Sequence, residues 1–322
     1  MDHIPSVDIV IVDYDAWNLV RDCLISIATN LSTRVRVDRV VVVENGTTRP
    51  EGEWWQCLHL PLHFIQNETN RGFAAACNQG AAGTSADFLL FLNPDTRLEK
   101  DSLEAPVCFL QKPENEHVGI VGIQLVDENG RVSRSCSRFP CVPQFANSAF
   151  GLSRVSRQHF PGGFMLEWDH LSTREVDLVI GAFFFVRSSL FGHLNGFDER
   201  FFVYFEDDDF AMRARTIGYR TCYLSDARCF HRGQGTTDKI KAERLFYSLR
   251  SRLQFGSKHF GIGQRIILVF VTLVVEPHSR LAIALARRSL KDVVETLRAY
   301  RLLWKEYILK RRTRSSHSTK PR

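Results

Sequence analysis

The hydrophobic pattern of the first half of the chain alternates between short apolar runs and longer stretches with helical spacing. Four apolar runs predict β-strands: Val7–Val12, Val37–Val43, Leu62–Ile65 and Phe88–Leu92. Leu19–Ala28, with one apolar side, and the alanine-rich Phe73–Ala82 predict helices between them. Alternation of strands and helices is typical of an α/β fold with a mostly parallel central sheet flanked by helices.

The pattern is less regular in the next segment. Val118–Val126 predicts a further strand, and Asp127-Glu128-Asn129-Gly130 after it is typical of a hairpin turn. From about residue 134 to residue 173 the periodicity fades among prolines and glycines, which predicts a long, partly mobile loop over the functional site. Ordered structure is expected again at Val176–Val186, and a later apolar strand is expected at Thr221–Leu224.

Beyond His231 the chain becomes helical and basic. Ile266–Val275 and Leu281–Leu303 carry apolar residues flanked by Arg and Lys and predict helices, while disorder is expected over about the last dozen residues. The chain is therefore expected to divide into an α/β body, residues 1–240, and a basic helical extension, residues 241–322, with a disordered end.

Neither a membrane-spanning helix nor secretion is expected. The longest apolar run, Ile266–Val275, is followed by Glu276-Pro277 and is well short of the roughly 20 residues that cross a bilayer. The N-terminus has no basic start and no apolar stretch of signal length. The eight cysteines form no CxxC pair and no regular framework, as in a cytosolic protein with reduced thiols.

Charge is distributed unevenly. The chain has a net charge of +6, yet residues 241–322 alone hold 19 Lys and Arg against 5 Asp and Glu, so the body is acidic. A basic extension indicates an anionic partner, either a phospholipid surface or nucleic acid. The extension lacks the aromatic and glycine pattern of RNA-binding modules, so nucleic acid is the less favoured partner.

Two elements carry candidates for a metal site. Asp95 follows the strand Phe88–Leu92 in an Asn-Pro-Asp turn, at the edge of the sheet where α/β proteins bind ligands. A carboxylate there is able to hold a divalent cation against a diphosphate, although Asn-Pro-Asp is also a common turn. His231 follows Thr221–Leu224. A lone histidine is usually structural, but opposite Asp95 it would complete a metal site.

A third candidate is the acidic cluster Glu206–Asp209, which follows the largely aromatic run Phe201–Phe205. Four consecutive carboxylates are costly to place beside apolar side chains unless a cation or a reacting group meets them. The alternative is a solvated helix N-terminus, where acidic residues interact favourably with the helix dipole.

Taken together, these motifs resemble those of the family 2 glycosyltransferases of the GT-A fold, and above all a bacterial rhamnosyltransferase-like branch that builds cell-surface polysaccharides. The resemblance spans about residues 7–255 and rests on the following segments: Val7–Tyr14, Val40–Gly46, Asn70–Asn78, Leu92–Thr96, Gly181-Ala182, Gly196–Asp209 and His231.

The resemblance implies a role for each matching residue. Asp95 and His231 fall on the metal ligands, with Asn93 in place of the first acid of the metal-binding motif. Asp207 falls on the catalytic base, with Glu206 beside it. The donor-binding positions are Tyr14, Glu44, Arg71, Gly72, Asn78, Asn93 and Arg250, and Glu44 stands where Asp is usual.

The implied activity is inverting transfer of a sugar, first L-rhamnose from dTDP-rhamnose, with a divalent cation (Mg²⁺ or Mn²⁺) as cofactor. A uridine diphosphate hexose is the alternative donor, and a glycan or polyprenyl-diphosphate-linked saccharide is the expected acceptor. Residues 1–100 would bind the donor and residues 101–240 the acceptor. The expected location is cytoplasmic and peripheral on the inner face of the membrane.

Two other classes of protein are the alternatives. A non-catalytic protein that binds sugar nucleotides or glycans would use the same scaffold, but the chain retains Asp95, Asp207 and His231. A dehydrogenase is disfavoured because no GxGxxG motif follows the first strand.

Overall fold

The computed structural model describes residues 3–46, 52–152, 156, 159–160, 162–233 and 241–317, with side chains as far as residue 306. The chain forms two compact units. The first comprises residues 1–139 and 163–236, and the second comprises residues 140–162 and 237–322.

The first unit contains a mixed sheet of nine strands. They are β1 (Ser6–Asp13), β2 (Arg36–Glu44), β3 (Leu62–Gln66), β4 (Phe88–Leu92), β5 (Thr96–Leu98), β6 (Val118–Val126), β8 (Arg174–Val176), β10 (Phe183–Arg187) and β11 (Arg220–His231). The order is β3-β2-β1-β4-β10-β6-β11-β5, with β8 paired to β11. The strands β3, β2, β1 and β4 are parallel, β10 runs antiparallel to both of its neighbours, and β6 and β11 are parallel to each other. Two short strands, β7 (Cys136–Ser137) and β9 (Leu178–Val179), pair separately.

Helices cover both faces of this sheet. Those of the first unit are α1 (Trp17–Thr29), α2 (Phe73–Ala81), α3 (Glu104–Leu110), α5 (Ser188–His193) and α6 (Glu206–Thr216). The helices α1 and α3 share a core with one face of the sheet, and α2, α5 and α6 share a core with the other. In β1, Ile9 and Ile11 belong to the first core and Val10 and Val12 to the second. Because both faces of the strand are buried, its consecutive residues are apolar.

The four strands and two helices predicted in the first half are confirmed within a few residues at their ends. Three elements differ. The sequence pattern did not reveal β5 or α3, which are both short, and the predicted strand Thr221–Leu224 is only the first part of β11. Ser225-Asp226 interrupts the apolar pattern, and the pairing of β11 with β6 is irregular between Leu224 and Arg228 before it continues to Phe230.

The stretch from residue 134 to residue 173, predicted to be a long, partly mobile loop, has regular structure where the chain is described. It contains β7 and a helix of the second unit, α4 (Val142–Ala149), which starts with a capping box between Cys141 and Gln144. In the first unit, buried His170 stacks on Trp168 and accepts a hydrogen bond from the backbone N–H of Cys136 at 3.2 Å. Residues 153–155, 157–158 and 161 of this stretch lie outside the described residues.

The second unit also contains α7 (Lys241–His259), α8 (Ile262–Ala286) and α9 (Leu290–His317). The predicted helix Leu281–Leu303 is interrupted where α8 ends and Arg288 takes a left-handed conformation with φ 52°. The expectation of a disordered end is wrong as far as His317, because Arg and Lys are good helix formers and α9 continues through them. Residues 318–322 lie outside the described residues.

The helix α8 is longer than its apolar run suggested. A π-helical turn, Val271–Val275, directly precedes Glu276-Pro277, and the helix continues through the proline. With 25 residues and a mean hydropathy of 1.8 in its most apolar window, α8 is long and apolar enough to cross a bilayer by length and composition alone. The argument that this segment is too short to span a membrane is therefore wrong, although core helices of soluble proteins meet the same criterion.

Candidate active site

The candidate site lies where the parallel strands of the first unit end. Their carboxyl ends place Asp13 at the end of β1, Glu44 at the end of β2 and Asn93 after β4 along one edge of the sheet. Ligands of open α/β sheets bind at this edge.

Asp13 and Glu44 form a buried carboxyl pair. They are neighbours in the parallel register of β1 and β2, and they are 0% and 2% exposed. Burial raises the pKa of Glu44 to about 8, and the adjoining Asp13 carboxyl adds to the shift. Burial also raises the pKa of Asp13. The pair thus carries fewer than two negative charges at neutral pH. Sequence reasoning placed Glu44 at the nucleotide but did not anticipate its coupling to Asp13.

The backbone holds both carboxyl groups of this pair in place. The N–H of Gly46 donates to Oε1 of Glu44 at 2.5 Å, and the N–H of Ala16 donates to Oδ1 of Asp13 at 3.1 Å. Tyr14, directly after β1, has 48% of its surface exposed. Its ring is thus accessible to a ligand beside a fixed carboxyl pair.

Asn45 organises the loop that precedes α2. Its buried amide donates to the side chain of Asn70 at 3.1 Å and to the carbonyl of Gly72 at 3.0 Å. Its oxygen accepts from the side chain of Asn67 at 3.0 Å and from the N–H of Arg71 at 3.1 Å. The exposed Arg71 side chain therefore extends from a fixed backbone. The asparagines at positions 45, 67 and 70 were the available signal for this network, and sequence reasoning missed it.

Gly72 is required by a close approach to Phe202. It has φ 88°, and a Cβ there would lie 2.5 Å from the carbonyl oxygen of Phe202. That oxygen accepts the N–H of Phe73 at 2.6 Å. The sequence-based reason for this glycine was close approach to the donor, whereas the approach that the structure shows is to Phe202. Contact with a donor stays a prediction.

Asn78 links α2 to the loop before α6 through hydrogen bonds. Its amide donates to the carbonyl of Phe197 at 2.8 Å and to Glu199 at 3.1 Å, and its oxygen accepts the N–H of Phe197 at 2.8 Å. Both N–H groups are thus already used. The structure thus shows Asn78 in a structural role, and its contact with the donor stays a prediction.

The structure brings Asp95 and His231 together. The strand β5 pairs with the end of β11, so that His231 lies opposite Thr96, the residue after Asp95. Oδ1 of Asp95 is 3.5 Å from Nε2 of His231, and each side chain is 13% exposed. The extension of β11 past Leu224 is what carries the histidine to this turn.

This pair fits the binding of a divalent cation. Burial lowers the pKa of His231 and so favours the neutral imidazole that binds metals, although the charge of Asp95 acts in the opposite direction. A carboxylate oxygen and an imidazole nitrogen suit Mn²⁺, and two protein ligands leave positions for diphosphate oxygens. Among the described residues, no group of three or more His, Cys, Asp and Glu side chains is placed to hold a metal ion.

The acidic helix α6 begins after a strained turn. Tyr204 and Phe205 both have a left-handed backbone, with φ 68° and 69°, which is uncommon for large side chains and concentrates at functional sites. The turn presents Asp207 to two backbone donors. Oδ2 of Asp207 accepts the N–H of Gly181 and Oδ1 accepts the N–H of Asp208, each at 3.0 Å.

The four carboxylates of α6 differ in their environments. Burial raises the pKa of Asp207, while the N–H donors act against that shift. Burial, reinforced by the charge of Asp207, raises the pKa values of Glu206 and Asp208 well above their usual range. Asp209 is fully buried and pairs with Arg213 at 2.8 Å, so it is structural. Asp207 is therefore the member whose raised pKa is countered by a hydrogen bond from outside the helix, the N–H of Gly181.

Two neighbouring residues link the acidic helix to the turn that carries Asp95. Gly181 donates its N–H to Asp207, and the carbonyl of Ala182 accepts the N–H of Asn93 at 3.0 Å. A Cβ at Gly181 would lie 3.3 Å from Oδ2 of Asp207, which explains the small residue. The partly buried Asn93 thus contributes through its backbone to placing Asp95.

Arg250, the remaining predicted donor ligand, belongs to the second unit. It lies on α7, and its Nε is 3.1 Å from the carboxylate of Glu306 on α9. The structure therefore shows Arg250 in an ion pair between helices, and its contact with a donor stays a prediction.

Comparison with known proteins adds independent information. The model of the family "Glycosyl transferase family 2" matches residues 8–191. The chain is 25% identical over 234 residues to an N-acetylglucosaminyl-diphospho-decaprenol L-rhamnosyltransferase of Mycobacterium tuberculosis, covering 69% of this chain and 76% of that protein. It is 23% identical to a low-salt glycan biosynthesis hexosyltransferase of Haloferax volcanii, covering 70% of this chain and 67% of that protein.

The fold is also similar to that of solved structures. A mannosyltransferase from Pyrobaculum calidifontis, in complex with GDP-Man and Mn²⁺, matches with a TM-score of 0.53 and 18% identity over 96% of this chain and 81% of that one. This likeness confirms the α/β fold of the GT-A type that the sequence predicted.

Proposed function

Because the chain belongs to glycosyl transferase family 2, we propose that this glycosyltransferase moves a hexose from a nucleotide diphosphate donor to a hydroxyl group, with inversion at the anomeric carbon. L-Rhamnose from dTDP-rhamnose is the first candidate and a uridine diphosphate hexose the second. The names of the mycobacterial and haloarchaeal relatives, an L-rhamnosyltransferase and a hexosyltransferase, support a hexose donor.

The observation that carries this proposal is the pair of backbone hydrogen bonds at Gly181 and Ala182. One holds the carboxylate of Asp207, and the other holds the turn that presents Asp95 to His231. Transfer from a diphosphate needs a base for the acceptor and a site for the leaving group, in a fixed relation to each other. Adjacent residues of one chain segment supply that relation.

Asp207 is the proposed catalytic base. A sugar hydroxyl is a weak nucleophile, and Asp207 would take its proton as the new bond to the anomeric carbon forms and the bond to the diphosphate breaks. The raised pKa of Asp207 increases its proton affinity, while the N–H groups of Gly181 and Asp208 keep its charged form accessible. A single displacement of this kind inverts the anomeric configuration.

The other proposed roles concern the donor. Asp95 and His231 would hold Mg²⁺ or Mn²⁺, which supplies positive charge that offsets the charge developing on the leaving diphosphate. Tyr14 and Glu44 would bind the nucleotide, and the exposed guanidinium of Arg71 would meet the diphosphate. We assign the donor to about residues 1–100 and the acceptor to about residues 101–240.

The proposed acceptor is a glycan or a polyprenyl-diphosphate-linked saccharide used in cell-surface polysaccharide synthesis. The mycobacterial relative, whose name specifies a diphospho-decaprenol substrate, supports a lipid-linked acceptor. Lipid-linked saccharides lie at membrane surfaces, and the excess of basic residues in 241–322 suits the anionic cytoplasmic leaflet. We therefore propose a cytoplasmic enzyme that works peripherally at the inner face of the membrane.

Calorimetric titration of the full chain with a panel of nucleotide sugars tests the donor. Each titration is made with Mn²⁺, with Mg²⁺ and with chelator. We expect one donor to bind tightly only with metal, and Asp95→Ala to weaken that binding at least about 10-fold, the lower end of the effect of disturbing a metal site. Asp226→Ala is the control, since Asp226 is exposed on the same strand as His231. Absence of binding by every donor would favour a non-catalytic glycan-binding protein on this scaffold.

A further inference from the structure

The helix α8 exposes a continuous apolar stripe. Its members, with their exposed fractions, are Ile262 (81%), Ile266 (64%), Ile267 (51%), Phe270 (56%) and Val274 (45%). Their spacing of mostly three or four residues places them along one side of the helix. Single exposed apolar residues are ordinary, but a row of five large ones on one element marks an interaction surface.

The opposite side of α8 is packed within the second unit. Leu268, Val271 and Thr272 are buried. Leu268 lies against α7 so closely that a Cβ at Gly256 would be 2.2 Å from its side chain. The first part of α8 and its π-helical turn also contact α4. One side of α8 thus packs within the second unit, and the other side is exposed.

A buried ionic group distinguishes α8 from a typical membrane-spanning helix. Glu276, near the middle of the 25-residue helix, is 5% exposed and pairs with Arg252 of α7 and with Arg280, whose Nε is 2.9 Å from Oε1. These cations hold the pKa of Glu276 below its usual value despite its burial. A helix crossing the bilayer would place this group near the centre of the hydrocarbon, where charges are expensive.

Charge around the stripe indicates which surface it meets. Arg265 is exposed within the stripe region, and Arg287 is exposed just after the end of α8. The segment 241–322 as a whole holds 19 basic and 5 acidic residues. An amphipathic helix with an apolar side and surrounding Arg and Lys suits the interface of an anionic lipid bilayer.

We propose that the stripe of α8 inserts into the surface of an anionic membrane, with the helix lying in the plane of the bilayer rather than across it. The second unit is then a membrane-docking module, whose apolar side chains enter the lipid while its basic residues meet phosphate headgroups. The inference rests on the proposed peripheral location at the membrane and deepens it, because it names the surface of the second unit that meets the lipid.

Flotation of the full chain with lipid vesicles tests the proposal without donor, acceptor or turnover. The vesicles consist of phosphatidylcholine alone or with 30% phosphatidylglycerol as the probe. We expect binding to the anionic vesicles, weaker binding in high salt, and release by carbonate washing at alkaline pH. A protein that resists the carbonate wash and requires detergent for extraction would show that α8 spans the bilayer, and the proposal would be wrong.

Paired substitutions identify the surface. The double variant Ile266→Ser, Phe270→Ser should bind anionic vesicles at least about 10-fold more weakly, because two large side chains no longer leave water. Leu171→Ser, at a 62% exposed residue of the first unit, should bind as the unchanged protein does. Arg265→Gln with Arg287→Gln should reduce both the affinity and its dependence on salt. Circular dichroism and thermal melting of each variant verify the fold.

Two further outcomes would overturn the inference. If neither vesicle binds the unchanged protein, the stripe is not a lipid-binding surface. If sedimentation shows a dimer that the double variant converts to monomers, a second copy of the chain covers the stripe. Nucleotide-sugar binding, measured by calorimetry on the double variant, should equal that of the unchanged protein, so failure here is separable from failure of the proposed reaction.

Discussion

The backbone N–H of Gly181 donates to Oδ2 of Asp207 at 3.0 Å, although 26 residues separate them in sequence. The bond joins the segment before β10 to the first turn of α6 and aims one carboxylate of an acidic cluster. The left-handed Tyr204 and Phe205 bring the helix to this position. Strained backbone at the start of a helix is retained where it orients a functional group.

Removing the charge of Asp207 should abolish most of the turnover. We expect Asp207→Asn to lower kcat by about 100-fold or more, the scale of a lost general base, with donor affinity nearly unchanged. Steady-state kinetics and calorimetry measure the two quantities. Asp208→Asn is the matched control, because Asp208 is the next residue of the same helix but does not accept the N–H of Gly181, and we expect a much smaller loss. Near-normal turnover of Asp207→Asn would refute the assignment of the base.

A methyl group introduced at Gly181 should change the proton affinity of the proposed base, Asp207. In Gly181→Ala the new methyl group would lie 3.3 Å from Oδ2 of Asp207 and weaken the hydrogen bond. Because this bond lowers the pKa of Asp207, its loss should raise that pKa and move the acid limb of the pH–kcat profile to higher pH. Gly192→Ala, where a Cβ meets nothing within 4 Å, should leave the profile unchanged.

Asn78 should matter for stability and not for donor affinity. Asn78→Ala removes two hydrogen bonds to the backbone of buried Phe197 and one to exposed Glu199, and leaving the buried backbone groups unsatisfied costs about 1–3 kcal/mol in the free energy of unfolding. Urea denaturation measures that loss, and calorimetry measures the donor. A variant of normal stability with impaired donor binding would instead support the prediction that Asn78 is a donor ligand.

The raised pKa of Glu44 should make the folded protein less stable at alkaline pH than at neutral pH. Its pKa in the folded state, about 8, exceeds the usual 4.5, so the folded form binds the proton more tightly and this contribution to stability is lost as pH rises toward and through 8. We expect Glu44→Gln, which mimics the protonated acid, to raise the melting temperature more at pH 9 than at pH 6. An equal change at both pH values would argue against a shared proton with Asp13.

The sequence by itself determined the fold class and most of the candidate site. Apolar runs of strand length alternating with helical patterns specify a sheet covered on both faces, and strand ends followed by Glu44 and Asp95 indicate the ligand-binding edge. These features are local, because periodicity and turn residues act over a few neighbouring positions. The acidic cluster and His231 were recognisable from their residue types and from the resemblance to a family.

Only the tertiary structure decided which of these residues work together. His231 reaches Asp95 because an irregular strand continues past Leu224. Asp207 differs from its acidic neighbours because it accepts a hydrogen bond from Gly181. Asn78 links two elements because α2 faces the loop before α6, and one apolar side of α8 is left exposed because only the other side packs against α4 and α7. Each outcome depends on contacts between distant parts of the chain, and burial and pKa values follow from those contacts rather than from local sequence.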